Sequence, residues 1–343
     1  MNVMTDQKKI AVTDASGVMG PAVIHELRAK GHAISAFLPE GQLLPDSLAG
    51  LSDITYVEGD VLDLPALEQL FADVDLVVHT ANLFSLSTRD KARMRKINIE
   101  GTFNVVNLSI ATGVEKLIHL SSTEALGHTT EPVIRDENSK WDEHKNNTVY
   151  GRTMFQSELQ VWRGTAEGLS AVILRPSHIL GGHAQDNPVF QWLTHVMQGA
   201  TFFPTGKAGW VDALDVARAV ELSLLPKIED EAFIISAGNF TYKSIMEQIV
   251  AVAGLRPPVK SWPNSWNFFL SLWEKGRSLW TGDRPWITPE GLSLSQIHAA
   301  YDGTKAKDIL GLQYRSISDS IQLMVEAYHK AGRQENWEMV PNY

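Results

Sequence analysis

The sequence has no cysteine in its 343 residues. That excludes disulfides, thiolate metal sites and a cysteine nucleophile, and it fits a reducing compartment. Cations are also scarce: 30 Lys and Arg stand against 40 Asp and Glu, a formal net charge of −10. Nucleic acid and anionic membrane surfaces both reward clustered Lys and Arg, so neither is expected as a main partner. No long uninterrupted apolar run occurs, and the start, MNVMTDQKK, is polar. Neither a signal peptide nor a spanning helix is therefore expected, and the expected location is cytoplasmic. No metal site is expected either.

What is present is a regular alternation of short apolar runs and helical patterns. Lys9 to Thr13 reads as a strand, Val18 to Lys30 as a helix stopped by Gly31, and Ala33 to Leu38 as the next strand. This is a βαβ unit of the size a parallel sheet requires. The alternation continues with strands at Ile54 to Val57, Asp75 to His79, Lys116 to Leu120 and Ala171 to Leu174. Helices are expected after the Asp63 cap, from Arg89 to Thr112 and from Val149 to Gly168. The loop of about 28 residues before Val149 is long enough to suspect function. The expected fold is α/β, a Rossmann-type doubly wound parallel sheet over residues 1–175. A smaller C-terminal α/β substrate lobe is expected over 176–343, with the chain crossing between lobes more than once.

Directly after the first strand stands Thr13-Asp14-Ala15-Ser16-Gly17-Val18-Met19-Gly20, opening a helix. Glycines in such a turn let the backbone approach a pyrophosphate, whose charge is favoured at the helix N-terminus. The run resembles the T-G-x-x-G-x-x-G motif of short-chain dehydrogenases, with Asp14 where the first glycine belongs. Asp14 reads equally well as a harmless turn residue or as a carboxylate that weakens cofactor binding. At the end of the second strand Leu38-Pro39-Glu40 offers no Arg for a 2′-phosphate, so NAD(H) is favoured over NADP(H). Glu40 reads as a solvated loop charge with a ribose ligand as the alternative.

Several further runs resemble signatures of the extended short-chain dehydrogenase/reductase family, particularly its 3β-hydroxysteroid dehydrogenase and dihydroflavonol-reductase-like branch. Glu58-Gly59-Asp60-Val61 resembles the adenine-binding segment, which implies Asp60 and Val61 at the cofactor. Val77-Val78-His79-Thr80-Ala81 resembles the strand end beneath the cofactor, implying Thr80 and Ala81; His79 reads as a core histidine. Asn98-Ile99-Glu100-Gly101-Thr102 resembles the N-x-x-G-T helix, and Leu174-Arg175-Pro176 with Gly181 the segment beside the nicotinamide. With Asp14, Gly17, Met19 and Gly20, the resemblance thus implies cofactor-side roles for Asn98 and Pro176. It also implies a homodimer.

The same resemblance implies a Ser or Thr hydroxyl that holds the substrate oxygen and a Tyr that passes the proton. Ser122, with Thr123 close behind, stands in the matching Leu120-Ser121-Ser122-Thr123-Glu124 run. Tyr150-Gly151-Arg152-Thr153-Met154 stands where Y-x-x-x-K belongs, so Met154 occupies the position of the family lysine. Residues four apart share a helix face, which is why that spacing matters. Met154 can neither hold a ribose nor supply a positive charge. Tyr150 is then expected to titrate near the ordinary phenol value of about 10. Lys140, His144 and Lys145 in the preceding loop are the candidates to reach in instead.

Trp262, Trp266, Phe269, Leu270, Trp273 and Trp280 recur at helical spacing, as core, lid or, less favoured, an interfacial helix. With Phe84, Phe190, Trp192, Phe202, Phe203 and Trp210 they favour a hydrophobic or ring-bearing small-molecule substrate. Two functions follow. One is an atypical NAD(P)H-linked carbonyl reductase using Ser122 and Tyr150. The other is a repurposed family member that binds a small molecule without hydride transfer, as a non-redox enzyme or a regulatory protein.

Overall fold

The structure, a computed structural model, describes residues 7–129, 133–183, 188–258, 260–261, 289–331 and 338–339. Its centre is a seven-stranded sheet. In chain order the strands are β1 (Lys9–Val12), β2 (Ala33–Leu38), β3 (Ile54–Glu58), β4 (Leu76–His79) and β5 (Lys116–Leu120). They are followed by β6 (Ala171–Pro176), β7 (His178–Leu180), β8 (Lys207–Asp212), β9 (Glu231–Ile235) and β10 (Gly238–Thr241). The large sheet runs β3-β2-β1-β4-β5-β6-β9, every pair parallel. The order reverses between β1 and β4, and in such sheets the crevice at the carboxyl ends of those two strands is where ligands bind.

The strands alternate their side chains between two cores. Ile10 and Val12 enter one with Leu76, Val78, Ile118 and Leu174; Ala11 enters the other with Val77, Leu117 and Ile173. Helices close both faces, which is why β4, β5 and β6 are buried along their whole length. On the first face lie α1 (Gly20–Ala29) and a later helix over Ala213–Ser223. On the second lie α2 (Leu64–Leu70), α4 (Thr102–Thr112) and α5 (Val149–Ala166), with a short α3 (Lys91–Arg95) leading into α4. Each aliphatic side chain taken from water contributes roughly 1.5–3 kcal/mol.

After Pro176 the chain leaves the large sheet for a three-stranded one, β10-β8-β7, packed with α6 (Pro188–Met197). It then returns through α7 (Ala213–Ser223) and β9 before departing again into α8 (Tyr242–Val252) and α9 (Ile317–Ala331). Trp210, Leu193, Ile245, Ile249 and Ile321 form the core of this smaller sheet and its helices.

One expected element is divided. The single helix from Arg89 to Thr112 is instead a 3-10 turn at Thr88–Asp90, α3, a π-helical turn at Lys96–Gly101, and α4. The wide turn rotates Asn98 inward, and Gly101 allows the close approach beside it: a Cβ there would lie 2.4 Å from Val61 Cγ2. Such π-turns concentrate at functional sites.

Candidate active site

The glycine turn joins β1 to α1 at the switch point. A Cβ on Gly20 would lie 2.4 Å from the Asp14 carbonyl oxygen and 2.7 Å from the Ala15 carbonyl, so only glycine lets the helix start against its own turn. Asp14 is built into this turn. Its Oδ1 accepts from the Ser16 amide at 2.9 Å, the Gly17 amide at 3.0 Å and the Ser16 hydroxyl at 3.0 Å. Ser16 Oγ is also hydrogen-bonded to the Gln42 side-chain amide, in the loop after β2. The polar side chain tied to the turn from that loop is thus Gln42; Glu40 is exposed. Met19 is buried as the N-cap, and among the described residues no acceptor meets the Val18 and Met19 amides. This donor set fits the pyrophosphate of a dinucleotide. Asp60 is exposed, its Oδ1 accepting from the Leu62 amide at 2.7 Å, while Val61 is buried against Gly101.

Beneath the turn a directional hydrogen-bond chain fixes its protons. Thr13 Oγ1 accepts from the Thr80 and Ala81 amides at 3.1 and 3.0 Å, so its own proton goes to His79 Nδ1 at 2.9 Å. The Thr80 hydroxyl donates to the Asp14 carbonyl at 3.2 Å. Thr102 Oγ1 donates to the Asn98 carbonyl at 2.6 Å and must therefore accept from His79 Nε2 at 2.9 Å. His79 is fully buried and neutral, its pKa pushed down to about 3 by burial. It is a core histidine satisfied on both nitrogens.

Asn98 acts on the site through protein groups. Its Oδ1 accepts from the Leu83 amide at 2.7 Å; its Nδ2 donates to the Leu83 carbonyl at 3.0 Å and to Thr153 Oγ1 at 2.9 Å. With 1% exposure and every polar atom engaged, it clamps the loop after β4 to α5. The role implied at the cofactor is therefore indirect.

The catalytic constellation assembles where β5 meets α5. Ser122 caps the 3-10 turn Thr123–Leu126, accepting from the Glu124 amide at 3.2 Å, and its hydroxyl lies near enough to the Tyr150 phenol to act against the rise of the phenol's pKa. Thr123 is buried and lies near the Tyr301 phenol instead. Gly151 makes the docking possible: a Cβ there would lie 2.7 Å from the Glu124 carbonyl oxygen. Farther along α5, Glu158 accepts from the Ser121 hydroxyl at 2.6 Å and forms a forked ion pair with Arg175, at 2.9 and 2.8 Å. Pro176 ends β6 next to that pair, in register with Ile235.

Met154 is fully buried with Tyr150, Met94, Ala125, Leu83 and Phe84. The Phe84 ring stands edge-on to Tyr150, centroids 4.8 Å apart. None of the loop residues stands in for the lysine. Lys140 and Lys145 are exposed, and His144 Nδ1 accepts from the Asn146 amide. The expected ordinary phenol value for Tyr150 is overturned. Burial drives its pKa well above that of a free phenol, and the Glu124 carboxylate adds to the rise against the Ser122 hydroxyl.

Glu124 itself escaped the sequence reading. Its Oε2 accepts from His128 Nε2 at 3.1 Å and from Thr148 Oγ1 at 3.2 Å. Burial alone would raise its pKa, but His128, His178 and Thr148 outweigh this and hold it low; His128 is held high in return. His178 and the Tyr242 hydroxyl, 2.9 Å apart, extend the polar cluster into the smaller lobe. The Glu124-x-x-x-His128 spacing was the available signal. Among the aromatics, Trp210 and Phe190 are core; Phe84, Trp192, Phe202 and Phe203 are half-buried. The Trp262 to Trp280 series lies outside the described residues.

A parallel sheet with a glycine turn at its switch point and a Ser-Tyr pair at the same edge defines a protein of the extended short-chain dehydrogenase/reductase type. The model of the NAD dependent epimerase/dehydratase family matches residues 10–235, and the chain belongs to that family. A dihydroflavonol-4-reductase-like protein of Synechocystis sp. is 24% identical over 326 residues, 93% of each chain. A 3-beta-hydroxysteroid dehydrogenase of Mycolicibacterium neoaurum is 24% identical over 183 residues, 52% of this chain and 49% of that one. Among solved structures, gox2253 superposes with a TM-score of 0.80 at 25% identity, covering 96% of this chain and 100% of its own. Among the described residues no helix is long and apolar enough to cross a membrane.

Proposed function

We propose that the protein is an NAD(P)H-linked carbonyl reductase acting on a hydrophobic, ring-bearing small molecule, with NAD(H) the favoured cofactor. The observation that carries this reading is the buried phenol of Tyr150, held protonated, with the half-buried Ser122 beside it. Ser122 orients the substrate oxygen and Tyr150 donates to it. A developing alkoxide is far more basic than a phenol, so a high phenol pKa leaves reduction feasible while depriving alcohol oxidation of its base. Gly17, Gly20 and the Val18 and Met19 amides would hold the pyrophosphate of the cofactor, which supplies the hydride when bound. At the nicotinamide end Met154 offers no donor to a ribose. The apolar walls given by Leu83, Phe84 and Met94 suit a ring system. Relatives with steroid and dihydroflavonol in their names support the same class.

Asp14 and Met154 favour a second reading, a family member that binds a small molecule without hydride transfer. Titration of the purified protein with NADH and NADPH decides between them. Saturable binding is expected, tighter for NADH; no binding of either at millimolar concentration would end the reductase reading.

A further inference from the structure

We infer that Glu290 is a positioning residue for Tyr150: its carboxylate caps the first amide of the helix that carries the phenol and, through the segment it heads, ties that helix to the smaller lobe. The inference rests on the reductase reading above and adds the device that holds the proton donor in place.

The first turn of α5 is half of a capping box. Thr148 Oγ1 accepts from the amide of Gly151, the third helical residue, at 2.7 Å. The other half would be a Glu or Gln at that third position, reaching back to the helix start. Gly151 cannot supply it, and no side chain is admitted there, because a Cβ would lie 2.7 Å from the Glu124 carbonyl oxygen. The carboxylate comes instead from 141 residues away: Glu290 Oε1 accepts from the Val149 amide at 2.9 Å. An amide at the start of a helix has no partner within that helix, and the helix dipole favours an anion beside it. Tyr150 is thus flanked by two amides held by side chains, Val149 by Glu290 and Gly151 by Thr148. Val149 packs on the same apolar cluster as Tyr150, Met94 and Met154, and the Phe84 ring meets the phenol edge-on. Releasing Val149 from Glu290 frees the phenol to leave that seat.

The segment behind Glu290 is fastened to the smaller sheet. It begins as a short helix, Pro289–Leu294. The Ser295 and Ile297 carbonyls then accept from the Gly206 and Lys207 amides at 3.0 and 2.9 Å, and the Ala299 amide donates to the Lys207 carbonyl at 2.8 Å. A Cβ on Gly206 would lie 2.6 Å from both the Ser295 and Ile297 carbonyl oxygens, so glycine is what lets the two chains meet. Two residues on, the Tyr301 backbone exchanges hydrogen bonds of 2.8 and 2.9 Å with the Asn239 side chain of β10. Residues 290–301 thus form a strap, with one end on the helix of Tyr150 and the other on β8 and β10. β8 carries Trp210 into the core of the smaller lobe. A substrate ring held against that lobe meets a donor fixed to the same frame. The strap registers the donor and adds nothing to the binding surface, so its loss acts on kcat more than on KM.

Glu290→Ala removes the acceptor, whereas Glu290→Gln keeps one for the Val149 amide. In protein labelled with meta-fluorotyrosine, the fluorine resonance of Tyr150 is identified by its loss in Tyr150→Phe. It is expected to shift or broaden in Glu290→Ala and to hold its parental position in Glu290→Gln. Should Glu290→Ala not fold, Glu290→Asp, one methylene short of the amide, is expected to give the same displacement in smaller measure. Gly206→Ala, which pushes on the strap at its far end, is expected to move the same resonance. A Tyr150 resonance that stays in place in Glu290→Ala, or moves as far in Glu290→Gln, overturns the assignment; one that ignores Gly206→Ala overturns the link to the smaller lobe. The second readout is α-tetralone reduction with NADH. Its kcat is expected to fall about tenfold in Glu290→Ala, with KM within about twofold of the parent, and to recover in Glu290→Gln. A lower thermal midpoint with kcat unchanged would mark a purely structural cap and overturn the inference. The resonance needs no cofactor. A parent that fails to bind NADH while its variants show the expected displacements loses the reductase reading and keeps the positioning of Tyr150; turnover with a resonance that never moves loses only the positioning.

Discussion

Replacing Asp14 with Asn isolates the charge in the glycine turn. The variant keeps an Oδ1 acceptor for the Ser16 and Gly17 amides, so the turn retains its shape. A pyrophosphate on the Val18 and Met19 amides would sit one to two residues past the Gly17 amide that the carboxylate accepts from, at most roughly 7 Å at the extended-chain limit of about 3.3–3.6 Å per residue. At that distance and an effective dielectric of about 40, each phosphate charge repels Asp14 by about 1 kcal/mol. Salt near 0.1 M roughly halves the total of two such terms. About 1 kcal/mol remains, which is roughly five- to tenfold in affinity. Calorimetric titration with NADH should therefore show Asp14→Asn binding about five- to tenfold more tightly than the parent, with a gap that narrows as salt is added. Equal or weaker binding at low salt would refute the reasoning, because it would mean that the carboxylate serves the cofactor instead of opposing it.

Met154→Lys puts an ammonium into a fully buried apolar cluster and should destabilise the protein by several kcal/mol while lowering the Tyr150 pKa; a thermal melt unchanged from the parent would contradict the packing described. Glu158→Leu strands Arg175, 9% exposed at its side chain, and should cost about 3–5 kcal/mol in denaturant midpoint analysis. The Glu158→Leu/Arg175→Leu double variant should cost less than that single one, and additive losses would count against a buried ion pair. Asp215 is raised to about 7, chiefly by burial, with an amide hydrogen bond from Arg315 opposing. A raised carboxyl contributes stability that is present below its unfolded pKa of about 3.9 and is lost as pH rises through the folded value. Asp215→Asn should therefore gain on the parent by roughly 1–3 kcal/mol between about pH 4 and pH 8. A difference in melting that stays flat across that interval would rule this out.

The parallel sheet was legible because strands covered on both faces are continuous apolar runs, and Lys9–Val12, Leu76–His79 and Ala171–Pro176 announce themselves as such. The Tyr150 to Met154 spacing was legible for the same local reason, a fixed helical period. What stayed hidden depends on contacts between distant segments. Helical propensity from Arg89 to Thr112 carries no sign of the π-turn, which Asn98 and Gly101 impose by meeting Leu83, Thr153 and Val61. Composition shows Glu124 and His128 as ordinary surface types; only the docking of α5 encloses them. The titration of Tyr150 was misjudged because the sequence displays the missing lysine but neither the burial nor the carboxylate beside the phenol.

The chain through Thr13, His79, Thr102 and Asn98 divides the molecule's freedom to change. Thr13→Val would strand two amides and an imidazole nitrogen at once, so a substitution there that removes the hydroxyl has no mild outcome. Met154 lies outside that chain of hydrogen bonds, packed with Leu83, which Asn98 clamps. The half that would grip the dinucleotide is therefore locked as a unit by hydrogen bonds, whereas position 154 is held by apolar packing. A lineage carrying this fold can exchange its proton chemistry one residue at a time without first dismantling the cofactor cradle.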